Sequence, residues 1–415
     1  MNERCLKSLL AVSGDTMSEV SEKETNPPAT EAAPPFDHGC ATGSSTPLLY
    51  WENPSKMNSK ITLSNFLTVV RIQMVDMLED QAKQMPHIAT TYAAVNTLIT
   101  LGGQKSLASI NRDKLHGFLR RMKQPNGGFR FDILYSMHDD GEIDVRACYT
   151  AISVASILNI LDDELIQNVG DYILSCQTYE GGIGGEPGSE AHGGYTFCGL
   201  AAMILIGEAS RLDLPRLIDW VVCRQGKECG FQGRTNKLVD GCYSFWQGGA
   251  AALLQRLYSI IDKQMEETSQ IFSISNVSED KESLDGTSTH ATYRGAIESG
   301  STDFKNIAYK FINEWRAQEP LFHSIALQQY ILLCAQEQEG GLRDKPGKRR
   351  DHYHTCYCLS GLSLCQYSWS KHPNSPPLPK LVLGPYSNLL EPIHPLFNVV
   401  LERYREAHEF FFTES

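Results

Sequence analysis

The 415-residue sequence carries a formal net charge of −12, with 41% hydrophobic and 21% charged residues. These proportions are typical of a globular protein, and the acidic balance argues against nucleic-acid binding, which needs a basic face. No apolar run approaches the roughly 18 residues of a membrane span, and the 12 cysteines include no C-x-x-C pair, so we expect a reduced, cytoplasmic protein.

Two segments have the composition of disordered chain. Residues 1–60 are rich in Ser, Thr, Pro, Glu and Asn, and such a segment buries too little apolar area to offset its ordering entropy. Residues 263–303 are similarly polar and are interpreted as a long flexible insertion. The sequence therefore predicts one folded domain made of residues 61–262 and 304–415.

An internal repeat organises the predicted domain. Four times, a Gln precedes a glycine turn, and a Tyr-led apolar segment follows it. The four units are Gln124–Gly128 with Tyr149, Gln177–Gly182 with Tyr195, Gln225–Gly230 with Tyr243, and Gln336–Gly341 with Tyr357. A fifth Tyr-led segment, at Tyr92, has no glycine turn before it. The spacing of roughly fifty residues matches one helical pair with its loops, and the insertion accounts for the longer last interval.

Two kinds of helix alternate along these units. The segment before each Gln is amphipathic, as in Ile166, Val169 and Ile173 at helical spacing. The segment after each turn is apolar nearly all round, as in the run from Tyr195 to Ile206, and such a helix must be buried on both sides. Half-exposed helices that alternate with buried ones predict two concentric layers. We therefore expect an all-α protein with an α/α barrel (toroid) of repeated helical pairs.

Candidate metal ligands stand where the turns lead into the buried helices. Asp240, Cys242 and His354 come from two such loops and could hold a zinc ion with three protein ligands, which leaves the fourth position open for catalysis. Spacing alone does not decide this. An N-capping Asp, an inert Cys and a hydrogen-bonded His would account for the same three residues.

The same loops carry basic and aromatic side chains. Arg234 and Lys237, with His192 and Tyr243, could bind a diphosphate, although an exposed basic loop would explain the two cations equally well. Aromatic residues recur on the apolar helices and form either the core or the wall of a tunnel for a long hydrocarbon. They are Tyr149, Tyr195, Phe197, Tyr243, Phe245, Trp246 and Tyr357.

From about His87 onward the sequence closely resembles the β subunits of protein prenyltransferases. The strings that carry this resemblance are PHIATTYAAVN, GEIDVRACY, CQTYEGGIGGEPGSEAHGGYTFCGLAA, GFQGRTNKLVDGCYSFWQ and GGLRDKPGKRRDHYHTCYCLSGLS. They cover roughly three quarters of the chain. The resemblance implies an α/α toroid, in agreement with the repeat.

The resemblance also assigns roles residue by residue. The implied zinc ligands are Asp240, Cys242 and His354, and the implied diphosphate-binding residues are His192, Arg234, Lys237 and Tyr243. The positions implied to line the isoprenoid site are Arg146, Tyr149, Tyr195, Cys198 and Trp246. Tyr353 matches a contact to the acceptor peptide, Asp344 a position linked to Mg²⁺-assisted departure of diphosphate, and Tyr357 a position whose bulk limits donor length.

The implied reaction is alkylation of a thiol. Zinc would hold the cysteine of a C-terminal C-a-a-X motif as its thiolate, and farnesyl diphosphate would donate the isoprenoid. The implied assembly is a heterodimer with an α subunit. Two alternatives remain: transfer of geranylgeranyl, or a non-catalytic form that binds the α subunit.

One part of the chain departs from the family pattern. In the family, a further helical repeat with its own glycine turn and a tryptophan-bearing helix precedes the string that matches PHIATTYAAVN. Residues 61–85 of this chain contain neither a glycine turn nor a Trp. This difference motivates the non-catalytic alternative and bears on how the barrel closes.

Overall fold

A computed structural model of the protein describes residues 87–130, 143–275, 304–313, 319–370, 372 and 375–413. The tail predicted for residues 1–60 lies outside these ranges, as do residues 276–303 of the predicted insertion. Within the described residues, no helix combines the length and the apolarity needed to cross a membrane.

Helices make up most of the described structure. In chain order they are α1 (Ile88–Leu101), α2 (Gln104–Ala108), α3 (Arg112–Met122), α4 (Val145–Ile157), α5 (Asp163–Ile166), α6 (Val169–Ser175), α7 (Gly193–Leu205), α8 (Leu214–Val222), α9 (Tyr243–Leu254), α10 (Tyr258–Ser275), α11 (Ile307–Asn313), α12 (Ser324–Gln329), α13 (His352–Tyr367) and α14 (Leu401–Thr413). A π-helical turn, Tyr330–Ala335, extends α12. Two short strands, β1 (Ile393–His394) and β2 (Val399–Val400), pair antiparallel.

The inner layer consists of α1, α4, α7, α9 and α13, and each of these helices packs on the next one in that order. Every residue of α4 is buried, and so is every residue of α7 except Tyr195. This burial follows from sequences that are apolar on all faces. The expected inner ring of apolar helices is confirmed.

The outer layer contains the amphipathic helices. In α8, Asp213 caps the first turn, Pro215 lies within it, and only one face is buried, through residues such as Leu217 and Trp220. The prediction of one continuous helix through residues 166–173 is wrong. Asn168 adopts a left-handed conformation (φ 60°), and the chain divides there into α5 and α6.

The glycine turns tie each repeat to the next outer helix. In the second turn, Gln177 Nε2 donates to the carbonyls of Gly181 and Asp213, and its Oε1 accepts from Asp213 N. Gln225 in the third turn makes the same two-way contact with the backbone of His323. The side chain at this position therefore acts as a clamp between a turn and the start of the following outer helix.

The first repeat was assigned one residue out of register. Lys123, rather than Gln124, occupies the clamp position, because its Nζ donates to the carbonyls of Gly127 and Leu165. The backbone bridge Lys123–Phe129 is also equivalent to Gln177–Ile183. We accordingly define the first to fourth turns as residues 123–128, 177–182, 225–230 and 336–341.

The C-terminal segment covers one end of the inner ring. Between β1 and β2 the chain buries Leu396 and Phe397 completely, and the Tyr149 hydroxyl donates to the Leu396 carbonyl. Helix α14 then packs on α1 and α4. The start of the predicted insertion needs a correction: α10 is helical to Ser275, beyond residue 263, because its first half packs on α8.

Candidate metal centre and the surrounding site

Three metal-binding side chains meet at the end of the ring opposite the C-terminal segment. One donor atom from each of Asp240, Cys242 and His354 lies within 4.8 Å of the other two. His354 Nε2 lies 3.2 Å from Asp240 Oδ1, and the Cys242 amide donates to that oxygen at 2.8 Å. Sulfur, nitrogen and oxygen donors at these separations can share one divalent cation, and three of them leave a position open.

Helix α13 fixes the imidazole of His354. Asp351 is the N-cap residue, and its Oδ1 accepts the His354 amide at 2.8 Å while its Oδ2 lies 2.7 Å from His354 Nδ1. The ring is thereby oriented with Nε2 towards Asp240. A carboxylate behind a metal-binding histidine sets its tautomer and raises its basicity. Sequence reasoning missed Asp351, although an Asp three residues before a His at a helix start is a recognisable signal.

Charge interactions dominate the titration of this site. Burial opposes ionisation of both groups, but the contact between His354 and Asp240 outweighs it. The pKa of Asp240 consequently falls to about 2, and the pKa of His354 rises to about 9 with help from Asp351. Without a metal, a proton on the imidazole supplies the positive charge that the two carboxylates attract.

Cys242 shows why the site suits a cation rather than an acid–base pair. Burial, and then the charge of Asp240, raise the pKa of its thiol well above the ordinary value. A bound divalent cation would outweigh burial and the Asp240 charge and lower the pKa of the thiol, because the thiolate is the form that binds metal. The donor set and its electrostatics therefore fit a metal ion.

Asp344 lies beside the three candidate ligands without being one of them. Its carbonyl accepts from Gly241 N at 2.8 Å, and its carboxylate contacts Lys345 Nζ at 2.5 Å. Burial, and then the charge of Asp240, raise the pKa of the Asp344 carboxyl. The structure thus brings this predicted residue to the site, with its charge already paired to a lysine.

Four predicted diphosphate-binding residues lie on neighbouring loops. The Tyr243 hydroxyl is 2.9 Å from His192 Nε2, and Arg234 pairs with Glu190 at 3.1 Å. Lys237, on the same loop as Arg234, is exposed. Burial, followed by the charges of Arg234 and Arg146, lowers the pKa of His192 to about 3, so this imidazole is neutral at physiological pH.

The predicted isoprenoid-lining residues meet below the metal centre. The Trp246 and Tyr357 rings lie 4.5 Å apart, and Trp246 Nε1 donates to the Tyr353 hydroxyl. Tyr149 and Cys198 are buried on the adjacent helices. Arg146 forms a buried ion pair with Asp144, and its guanidinium lies 5.2 Å from the centre of the Tyr195 ring.

Sequence reasoning did not assign a site role to Tyr92. Its ring lies 5.7 Å from that of Tyr149, and the two hydroxyls are 3.3 Å apart. Tyr92 lies on α1 and leads the apolar segment that no glycine turn precedes, and its match to the tyrosines of the other four segments is the signal that could have placed it beside them.

Comparison with known proteins agrees with this architecture. A family model described as the prenyltransferase alpha-alpha toroid domain matches residues 45–399. The chain is 82% identical over 332 residues to the protein farnesyltransferase subunit beta of Pisum sativum, covering 79% of this chain and 78% of that protein. It is 58% identical to the protein of the same name from Arabidopsis thaliana, covering 79% and 68%.

The chain belongs to the protein farnesyltransferase β-subunit family. It is thus a prenyltransferase of the toroid class. A solved structure of the Candida albicans protein geranylgeranyltransferase-I, complexed with GGPP, superimposes with a TM-score of 0.51 at 21% identity, covering 79% of this chain and 77% of that chain. At that identity the likeness supports the fold only. The family assignment confirms the predicted fold class and the prenyltransferase activity.

Proposed function

We propose that the chain is the catalytic β subunit of a heterodimer that transfers farnesyl from farnesyl diphosphate to the cysteine thiol of a C-terminal CaaX motif. The observation that supports this most directly is the meeting of Asp240, Cys242 and His354 within 4.8 Å, beside loops that carry Arg234 and Lys237. The relatives named above as farnesyltransferase β subunits support the same donor.

The three ligands would hold a zinc ion. Bound there, zinc would keep the acceptor sulfur as a thiolate at neutral pH, which is the nucleophilic form. Asp351 orients the His354 ring for this purpose through its contact with Nδ1. Tyr353, which lies next to His354 and accepts a hydrogen bond from Trp246 Nε1, would contact the acceptor peptide.

The basic loops would bind the diphosphate. His192 is held with Nδ1 accepting from Gly194 N, so its Nε2 carries the proton and can donate, as Tyr243 can through its hydroxyl. Arg234 and Lys237 add positive charge where negative charge grows on the leaving group, which lowers the barrier to its departure. Asp344 would contribute a carboxylate to a Mg²⁺ ion that assists departure.

The inner helices would hold the isoprenoid. The buried rings of Tyr149, Trp246 and Tyr357, together with Cys198, would provide the apolar surface that contacts the isoprenoid. Positioning C1 of the donor against the bound sulfur makes the encounter effectively intramolecular. Bulk at Tyr357 favours the fifteen-carbon donor. The α subunit would complete the heterodimer, and we expect the heterodimer in the cytoplasm.

The test is a two-donor transfer assay. The chain is co-expressed with a farnesyltransferase α subunit, the purified heterodimer is analysed for metal, and labelled farnesyl or geranylgeranyl diphosphate is offered with peptides ending in Ser, Met, Gln or Leu. We expect one zinc ion per heterodimer and a preference for farnesyl on the Ser, Met and Gln peptides.

Two results contradict this proposal. A preference for geranylgeranyl on peptides ending in Leu would favour the alternative donor and a different role for Tyr357. A heterodimer that binds zinc without turning over either donor would favour the non-catalytic form, which the atypical residues 61–85 motivated.

A further inference from the structure

Two loops that are anchored through their backbones meet at the predicted diphosphate-binding residues. The loop that leads into α7 is held where His192 N donates to the Ile183 carbonyl at 3.0 Å. It is joined to the loop that leads into α9 where Gly193 N donates to the Gly233 carbonyl at 2.8 Å. A Cβ at Gly233 would lie 2.0 Å from Cζ of Tyr243, so the second loop lies directly against that ring. Contacts within the protein therefore fix the backbone of both loops.

Arg234 carries a long side chain on the second of these loops. The side chain is 26% exposed, and its Nη1 donates to Oε2 of Glu190 at 3.1 Å. Glu190 belongs to the first loop, so this ion pair connects the two loops a second time, through side chains. Arginine has several rotatable bonds, and a charge-assisted hydrogen bond to a carboxylate restricts the orientations that its guanidinium can take.

The guanidinium of Arg234 lies between an exposed carboxylate and a buried imidazole. The Glu190 side chain is 53% exposed, whereas His192 is only 7% exposed. Burial is the largest cause of the lowered pKa of His192, and the charge of Arg234 is the next largest. Arg234 is therefore close to the imidazole as well as to the carboxylate. Glu190 approaches the guanidinium from the solvent side, and His192 with Tyr243 lies on the inner side.

This order of groups favours one of two roles for Glu190. A carboxylate that competed with the diphosphate for Arg234 would be expected on the inner side, beside His192. A carboxylate on the solvent side can instead hold the guanidinium in place while the inner side binds an anion. The planar fork of an arginine has five N–H donors, so one nitrogen can donate to a carboxylate while other nitrogens donate to a second anion.

We propose that Glu190 is a positioning residue for donor binding, because its carboxylate holds the Arg234 guanidinium towards His192 and Tyr243. This inference rests on the proposed function, since the anion concerned is the diphosphate of the same donor. Glu190 acts through Arg234 and does not itself contact the donor. The ion pair restricts the Arg234 side chain before the donor arrives, which reduces the entropy lost on binding. Solvent and salt screen the exposed carboxylate, so its repulsion of the diphosphate is the smaller effect.

Titration of the purified heterodimer with a fluorescent farnesyl diphosphate analogue tests this proposal. Glu190→Ala should weaken binding of the analogue by about two- to fivefold, as expected for the loss of one partly exposed ion pair. Zinc content and the KM for the acceptor peptide should stay unchanged. Glu190→Gln keeps an oxygen that can accept from Arg234, so this variant should recover part of the lost affinity.

A double-mutant cycle shows whether Glu190 acts through Arg234. In an Arg234→Ala background, Glu190→Ala should cause no further loss of affinity. In a Lys237→Ala background it should keep its full effect of about two- to fivefold. The matched control is Glu186→Ala, which removes one negative charge from an exposed position of the same loop and should not weaken binding.

Three results would overturn the proposal, and each has a different meaning. Tighter binding by the Glu190→Ala variant would show that the carboxylate competes with the diphosphate. Equal losses in the Arg234→Ala and Lys237→Ala backgrounds would show that Glu190 has a general structural role instead. A wild-type heterodimer that binds no farnesyl diphosphate analogue would contradict the proposed function, and this inference with it, before any variant is compared.

Discussion

Two histidines at opposite ends of the inner ring have opposite surroundings. His354, at the open end, has a carboxylate near each ring nitrogen, and its pKa rises to about 9. His394, beneath the ring, meets only backbone groups through its nitrogens, as Nε2 faces the Ala308 carbonyl and Nδ1 accepts from Leu396 N. Burial, and then nearby cations such as Arg256, lower its pKa to about 3.

This difference shows that the two ends of the inner ring have different roles: one end carries the candidate metal ligands, and the other end is covered by the C-terminal segment. The open end collects acidic groups that attract a cation, whereas the closed end keeps its imidazole neutral and uses it to fix the backbone of the C-terminal segment. A small cavity of about 40 Å³, lined by Arg256 and Ser370 among others, lies at this closed end and not at the metal ligands. Burial of a histidine therefore does not by itself identify the functional site, whereas the charged groups beside its ring nitrogens do.

Loss of a ligand should have the largest effect. Cys242→Ala removes the only sulfur donor of the three, so we expect metal affinity to fall by more than about a hundredfold and transfer activity to be lost. Metal analysis of the heterodimer after dialysis measures this. Cys365→Ala, a change at an equally buried thiol of α13, is the control. Stoichiometric metal in the Cys242 variant would show that the ligands are misassigned.

Removing the carboxylate behind His354 should have the next largest effect. Asp351→Asn keeps a side chain that caps α13 but removes the charge at Nδ1, so metal affinity should fall by about 10–100-fold while the melting temperature changes little. Competition with a chelator measures the affinity. Asp213→Asn, at the N-cap of α8, should leave metal affinity unchanged, and an equal loss in both variants would contradict a specific role for Asp351.

The Lys237→Ala substitution should weaken donor binding without touching the metal. Loss of one charge-assisted contact to a diphosphate costs about 1.5–3 kcal/mol, or roughly 10–100-fold in affinity. Titration with a fluorescent farnesyl diphosphate analogue measures it, and Lys227→Ala, at another exposed lysine of the third turn region, is the control. Reduced zinc content in the Lys237 variant would instead indicate a structural role.

The smallest effect is expected at the closed end. His394 has a pKa of about 3 when folded and about 6.5 when unfolded, so the unfolded state takes up a proton first as the pH falls. Its stabilising contribution is complete above pH 6.5 and declines between pH 6.5 and pH 3, by about 1 kcal/mol per pH unit well below 6.5.

The measurement is the melting temperature at pH 7.5 and pH 5.5. His394→Gln should reduce the drop between the two values, while the exposed His323→Gln should not change it. An unchanged drop in the His394 variant would show that other groups, such as His192 with its lowered pKa, carry the acid sensitivity.

Much of the fold could be predicted from the sequence because it rests on local patterns. Segments that are apolar on every face, such as α7, can only be inner helices, and the repeat of a clamp residue and glycines sets their number. The position of the clamp residue in the first turn was harder to predict from the sequence. Lys123 performs with an ammonium what Gln177 performs with an amide, and that equivalence is visible only in which carbonyls they reach.

For the site, the sequence by itself determined the residue types and the loops on which they lie. It left open whether Asp240, Cys242 and His354 were three ligands or three ordinary side chains, because more than a hundred residues separate the first from the last. Only the tertiary structure shows that their donor atoms lie within 4.8 Å of one another, since packing of α9 on α13 brings two distant loops together. The role of Asp351 also depended on that packing, because its carboxylate matters only once the His354 ring points at Asp240.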